Sequence, residues 1–313
     1  VKKLPFVLLR IGITVVLLIF LFSGTDVPML RDVVRTAHKG RLAAAFALFV
    51  FLNVLVLLRW QCLVRARGLR VGTLRLLCAY LSGLFFNLVL PSTIGGDAVR
   101  TLDIAGSTGE ESSTILGTVV MDRMLGFFGL FTVLIFSLLF GFRRFQDPSI
   151  LVAAAALLAF VVFASGVMFS RRVFRFCFGW LPFARLREYL RRVHVVTREY
   201  RDKKGALVTG WSLSIGIHVG LAFMFLLTAA ALGERVAVLH ALMFVPMVTA
   251  FSSLPFSIGG LGLRDAATVF VFTKVGMGAE PAFAISLLTF GFMFLLGLFG
   301  GVSYVGTLYR RRV

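Results

Sequence analysis

Two arginines 164 positions apart close two copies of one motif. Leu90-Pro91-Ser92-Thr93-Ile94-Gly95-Gly96-Asp97-Ala98-Val99-Arg100 and Leu254-Pro255-Phe256-Ser257-Ile258-Gly259-Gly260-Leu261-Gly262-Leu263-Arg264 agree at six of eleven positions. Each of Arg100 and Arg264 offers a planar, five-donor fork suited to phosphate or carboxylate. Gly95, Gly96, Gly259 and Gly260 let a substrate come close to the backbone, and a helix starting just after them would aim free N–H groups at it. An arginine at membrane depth costs about 2.5–3.5 kcal/mol on insertion scales, so each needs a partner. Asp97 lies three residues before Arg100 and Asp103 three after, both within reach along one helical face. The competing account of Arg100 is a buried ion pair with Asp97 or Asp103 that merely fixes the hairpin. In the second copy Leu261 replaces Asp97 and Asp265 is the nearest acid, so the two halves are chemically unequal.

Asp122 and Arg123 follow the first motif, inside the next apolar stretch. Adjacent helical residues point in different directions, so Asp122 is expected to serve a hairpin arginine, while Arg123 either joins the site or snorkels. Arg10 and Arg59, near helix ends, are expected to snorkel. His218, between Gly216 and Gly220, reads as a hydrogen-bonded packing residue ahead of a proton relay; Gly297 and Gly301 read as helix packing. Cys62, Cys78 and Cys177 show neither CxxC spacing nor an even count, against a disulfide framework or a metal site. No Walker, GxSxG or HExxH pattern is present, so no cofactor is expected and no nucleotide motor is supplied.

The elements that must position these groups are membrane elements. Only 15% of the 313 residues are charged and 59% are hydrophobic, against about a quarter charged in soluble domains. Six stretches are long enough to cross about 30 Å of hydrocarbon: 5–23, 42–64, 113–140, 149–169, 206–232 and 280–307. The first lacks a small-x-small cleavage site and reads as a retained helix. Two more apolar runs, 76–90 and 239–254, stop at Leu-Pro and enter the Gly-Gly motif, and the segments 76–110 and 239–278 read as re-entrant hairpins. The 164-residue offset carries 42–64 and 113–140 onto spanning stretches as well. The expected fold is an all-α polytopic membrane protein, with about six spanning helices and two re-entrant hairpins in an inverted repeat of units 42–140 and 206–304. Eight full spans is the competing count.

Charge patterning orients the chain. Net charge is +19, yet the basic residues crowd between apolar stretches, so lipid surfaces rather than nucleic acid are the expected partner. Residues 171–204 hold eleven Lys/Arg against three acids, interleaved with aromatics around Pro182. One or two amphipathic helices lying on an anionic cytoplasmic surface are expected there. Both termini are then cytoplasmic.

The two Gly-Gly motifs, with Asp122-Arg123 between them, resemble the transmembrane region of lysylphosphatidylglycerol synthases, a family that includes free-standing, flippase-like membrane proteins of the YbhN type. The resemblance covers about residues 5–308. It implies a non-enzymatic lipid flippase or transporter of the cytoplasmic membrane. Aminoacyl transfer belongs to a soluble domain of the full synthases and is not implied here. An anionic or phosphate-bearing headgroup would bind between the hairpins at Arg100 and Arg264, with Asp97, Asp103 and Asp122 orienting the arginines. The alternatives are an accessory subunit that positions a lipid-modifying glycosyltransferase or synthase, and a membrane enzyme working through those aspartates.

Overall fold

In the computed structural model the described residues are 35–89, 93–141, 148–180, 183–253 and 261–310, with isolated positions near residue 30. The expected span 5–23 and the second motif's 254–260, including Gly259 and Gly260, lie outside them. Among the described residues the chain forms eleven α-helices and one 3-10 turn. In order they are α1 (Lys39–Ala66), α2 (Thr73–Val89), α3 (Thr93–Thr108), α4 (Ser112–Gly141), α5 (Pro148–Phe169), α6 (Arg171–Phe178) and α7 (Ala184–Glu199). After the turn Tyr200–Asp202 come α8 (Lys204–Ala231), α9 (Val238–Ser252), α10 (Leu263–Thr273) and α11 (Ala279–Arg310).

Among the described residues four helices, α1, α4, α8 and α11, are long and apolar enough to cross a membrane. The chain is therefore an all-α, multi-pass membrane protein. Helices α2 and α9 are equally apolar but have only 17 and 15 residues. At about 1.5 Å per residue neither reaches across about 30 Å. Each is followed by another short helix, α3 or α10. In the first pair the chain doubles back: Arg75, at the start of α2, holds Asp103 of α3 at 3.0 Å. Residues 70–72 and Arg75 share a groove with Ser107 and Thr108 at the end of α3.

The two units, α1–α4 and α8–α11, run in opposite senses. At the start of α1, the His38 N–H donates to the Ala231 carbonyl at 2.8 Å, and Arg41 Nη1 donates to the Ala230 carbonyl at 2.6 Å, both at the end of α8. At the other end Tyr200, just before α8, donates its hydroxyl to the Leu63 carbonyl of α1 at 2.9 Å. The units also exchange partners. Helix α2 packs on α11 of the other unit, and α9 packs on α4. A twofold-like relation demands this crossed pattern, because each unit's short helix covers the other's last span.

Close crossings explain several glycines. A Cβ on Gly300 would stand 2.0 Å from the Leu81 carbonyl, and Gly297 and Gly301 meet Leu88 and Phe85 of α2. The small-residue spacing identifies the last two; Gly300 breaks that spacing and is the tightest. Gly220 meets Leu52 of α1, whereas Gly216 faces open space.

Helices α6 and α7 form a separate layer at the end where α1 finishes and α4 begins. Helix α7 buries Val193, His194, Val196 and Thr197, and the turn after it buries Tyr200. Val196 fits over Gly117, and Glu199 pairs with Arg67. Arg192 meets Glu111 at 3.2 Å. The Glu111 carboxyl is held below its ordinary range by the Ser113 hydroxyl and by Arg192. Phe176, Trp180 and Phe183 stay exposed among the arginines.

Candidate functional site

The first hairpin and the two long helices beside it bring five charged side chains together. Arg100 Nη2 lies 2.9 Å from Asp97 Oδ1 and 3.6 Å from Asp122 Oδ2. Arg123 holds the other oxygen of Asp97. Arg59, expected to snorkel, instead donates Nε to Asp122 Oδ1 at 2.7 Å and Nη1 to Ser214 Oγ at 2.9 Å. It lies two turns inside the end of α1, where α4 and α8 enclose it, so a buried carboxylate outcompetes the headgroup region. Three guanidiniums thus face two carboxylates, an excess of one positive charge among these five groups. The Arg100 guanidinium also lies over the Trp60 ring, 4.8 Å from its centroid. Trp60 is fixed in turn by donating Nε1 to Thr118 Oγ1 at 3.0 Å.

Asp103 does not join this cluster. It lies two turns beyond Asp97 at the open end of the hairpin, where Arg75 takes it. Its expected role as a partner of Arg100 passes to Asp122, which comes from the neighbouring helix rather than the same one. The glycine cradle is also revised. Helix α3 begins at Thr93, so Gly95 and Gly96 lie within its first turn rather than before it. The Gly96 N–H donates to Asn87 Oδ1 at 3.0 Å, and a Cβ there would stand 2.0 Å from the Gly83 carbonyl. Gly96 therefore seals the crossing of α2 and α3. Gly95 is half-buried in the same turn.

The second half repeats the scheme with milder chemistry. Arg264 Nη2 lies 2.8 Å from Asp265 Oδ1, and its Nε donates to Ser286 Oγ at 3.0 Å. Asp265 uses Oδ2 to accept the Gly262 N–H at 2.8 Å, closing the first turn of α10. Gly262 adopts φ +78°, a left-handed conformation that favours glycine. The 164-residue offset carries Asp122 onto Ser286. In both units the motif arginine is thus received by a residue 22 positions later, on the unit's last span. That equivalence was present in the sequence but masked by the change from Asp to Ser.

Two adjoining cavities open on these groups. The smaller, about 170 Å³, is lined by Tyr80, Gly83, Asn87, Asp97, Arg100, Asp122 and Arg123. Arg100 Nε is buried there without a hydrogen-bond partner. The larger, about 330 Å³, has mostly apolar walls from α8, α9 and α11, with Arg123 and Arg264 both on its lining. Asn87 and Arg123 belong to both cavities. Arg123 lies eleven residues into α4, about 16 Å along it, roughly half the hydrocarbon thickness. His218 lines neither of these two cavities; its Nε2 bonds the Gly126 carbonyl at 3.1 Å and ties α8 to α4. Among the described residues no group of acids, histidines and cysteines could hold a metal ion.

The family model described as the lysylphosphatidylglycerol synthase TM region matches residues 7–301. A UPF0104 membrane protein of Methanothermobacter thermautotrophicus is 22% identical over 325 residues, covering 96% of this chain and 95% of that protein. A second UPF0104 membrane protein, from Methanocaldococcus jannaschii, is 21% identical over 300 residues, covering 90% and 88%. No solved structure matches the chain.

Proposed function

For a chain that belongs to the lysylphosphatidylglycerol synthase TM region family, we propose the work of a lipid transporter that moves an anionic headgroup across the cytoplasmic membrane. The observation that carries this reading is the larger cavity, lined by an arginine from each half. A headgroup phosphate there would meet Arg123 and Arg264, and the adjoining pocket would add the unpartnered Nε of Arg100. The excess positive charge of the first cluster favours a ligand carrying one negative charge. The largely apolar walls suit acyl or glycerol-backbone carbon. Transport rather than catalysis is the simpler reading of this site. Asp97, Asp122 and Asp265 are each committed to an arginine.

Orientation follows from charge. Arg65, Arg67, Arg70, Arg75 and the arginines of α6 and α7 collect at one end, which the positive-inside bias assigns to the cytoplasm. The first hairpin then opens to the cytoplasm and the second to the opposite side, as alternating access between two inverted units requires.

Reconstitution tests the site. Proteoliposomes holding a fluorescent anionic lipid should show protein-dependent exchange between leaflets, read by quenching of the outer leaflet. Arg123→Gln should slow exchange by at least about tenfold, the effect of losing one charge-assisted contact. Arg264 is best tested as Arg264→Gln with Asp265→Asn, which leaves no orphaned carboxylate. Rates equal to the wild type in both variants would remove the site. No exchange by well-folded wild-type protein would favour an accessory role beside a lipid-modifying enzyme.

A further inference from the structure

The layer formed by α6 and α7 carries a surface that neither the helix bundle nor the two adjoining cavities use. Phe176 and Trp180 are 81% and 77% exposed, and Phe183, across the turn between the two helices, is 66% exposed. Three large rings thus face outward from one short stretch, 176–183, without a packing partner that covers them. Arg172, Arg175, Arg185 and Arg187 are exposed on either side of it. Among the described residues none of these four forms an ion pair. Arg191 and Arg192, farther along α7, are by contrast taken by Glu188 and Glu111.

The local geometry keeps this corner level with the ends of the long helices. Only Ser170 separates α5, an apolar helix of 22 residues, from α6. Ser170 is extended, at φ −103° and ψ 119°, and its Oγ accepts the Val173 N–H at 3.4 Å, so it caps α6 and breaks the axis. Val173 comes back against Gly166, its γ carbons 3.7 Å from where a Cβ on that glycine would stand. Helix α6 therefore folds across the last turns of α5 instead of running on into water. The Phe174 ring then closes α6 on α7 through His194. At the far end of α7, the Tyr200 hydroxyl is held by the Leu63 carbonyl, and α8 starts at Lys204. A layer tied at both ends to the ends of α5, α1 and α8 lies along the membrane face.

We propose that the corner 176–183 inserts its aromatic rings into the cytoplasmic leaflet, and that Arg172, Arg175, Arg185 and Arg187 hold it there by attraction to anionic lipid. A solvated basic linker accounts for the arginines but leaves three large apolar rings in water. A bilayer is the apolar body within reach of a layer held at this level, and its anionic headgroups supply the charges that the four arginines lack within the chain. Tryptophan suits this depth because its ring is apolar and its N–H can stay hydrated. The contact stands independently of the transport reading. It is made with bulk lipid of one leaflet, through charge rather than headgroup structure, and no residue of either cavity takes part.

Nanodiscs separate the outcomes. The protein is placed in phosphatidylcholine bearing bromine on its acyl chains, with and without about a third of phosphatidylserine. Bromine quenches a tryptophan that enters the acyl region, and acrylamide quenches one that stays in water. Trp60 and Trp211 also emit, so the signal of Trp180 is the difference between the wild type and Trp180→Phe. In the anionic discs bromine should reduce that signal at least about twofold, and clearly less in phosphatidylcholine alone. Each arginine near an anionic surface strengthens attachment about fivefold. Arg172→Gln, Arg175→Gln, Arg185→Gln and Arg187→Gln together should therefore bring quenching in anionic discs down to the phosphatidylcholine level. Raising salt from about 0.1 to 1 M shortens screening from about 10 to 3 Å and should do the same to the wild-type protein, with no substitution at all.

A Trp180 signal that bromine leaves unchanged in anionic discs overturns the insertion. Quenching that is equal in the two lipid mixtures, or that withstands both salt and the fourfold variant, overturns the part given to the arginines. Trp180 shielded from acrylamide yet untouched by bromine would mean that a second copy or another protein covers the corner, and would overturn the proposal as a whole.

Discussion

At the residue scale, the charged cluster is a chain of shared partners rather than a set of pairs. Asp122 receives Arg59 on one oxygen and lies beside Arg100 on the other; Asp97 receives Arg100 and Arg123. Removing one partner of a buried pair costs more than the pair is worth, because the remaining charge stays desolvated. Asp122→Asn should therefore destabilise the protein by about 3–5 kcal/mol. Arg59→Met should do the same, while the double variant should lose clearly less than the sum of the two. Thermal unfolding in detergent checks this, and strict additivity would argue that Arg59 and Asp122 are not coupled. The sequence makes the two motif arginines, Asp97 and Asp122 legible because charge in an apolar chain is conspicuous. It hides Arg59 and Ser286. Their importance comes from neighbours 63 and 22 residues away, and no local pattern encodes such distances.

At the element scale, the helix pair α6–α7 is joined through a buried histidine. His194 is buried, and the Phe174 ring of α6 stacks on it at 4.2 Å. Burial pushes its pKa below the ordinary 6.5, and the nearby Arg198 and Arg171 lower it further. A histidine depressed in the folded state contributes stability that is complete above the unfolded value. That contribution declines as pH falls below 6.5, because protons bind the unfolded form first. Docking of α6–α7 should weaken as pH falls below 6.5, read as a falling melting temperature or faster proteolysis within 171–204. His194→Phe should flatten that dependence; a slope identical to the wild type would place its origin elsewhere. Composition makes the amphipathic character of this segment legible, since aromatics alternating with arginines suit an interface. It does not reveal the seam, because Val193, Val196 and Tyr200 acquire their partners Gly117 and Leu63 only in the tertiary fold.

At the scale of the whole molecule, the twofold-like exchange of α2 and α9 between units forces a specific disposition of turns. If each hairpin returns to the face it left, Arg70 before α2 and Glu110 after α3 share one side of the membrane. Arg235 before α9 and Lys274 after α10 then share the other. Counting α2 or α9 as a full span separates the members of each pair instead. The ion pair between Arg75 and Asp103 favours the first arrangement, since it joins the two ends of one hairpin. So does the antiparallel contact of α1 with α8, which sets the α1–α2 and α8–α9 turns at opposite ends. Single cysteines at these four exposed positions, in a background lacking Cys62, Cys78 and Cys177, can be challenged with an impermeant maleimide in intact and in opened cells. Arg70→Cys and Glu110→Cys should label only after opening, and Arg235→Cys and Lys274→Cys in intact cells. Labelling of Arg70→Cys and Glu110→Cys from opposite sides would replace the hairpin by a span. Two inverted units could then no longer meet at one mid-membrane cavity, and the shared lining by Arg123 and Arg264 would lose its meaning for alternating access.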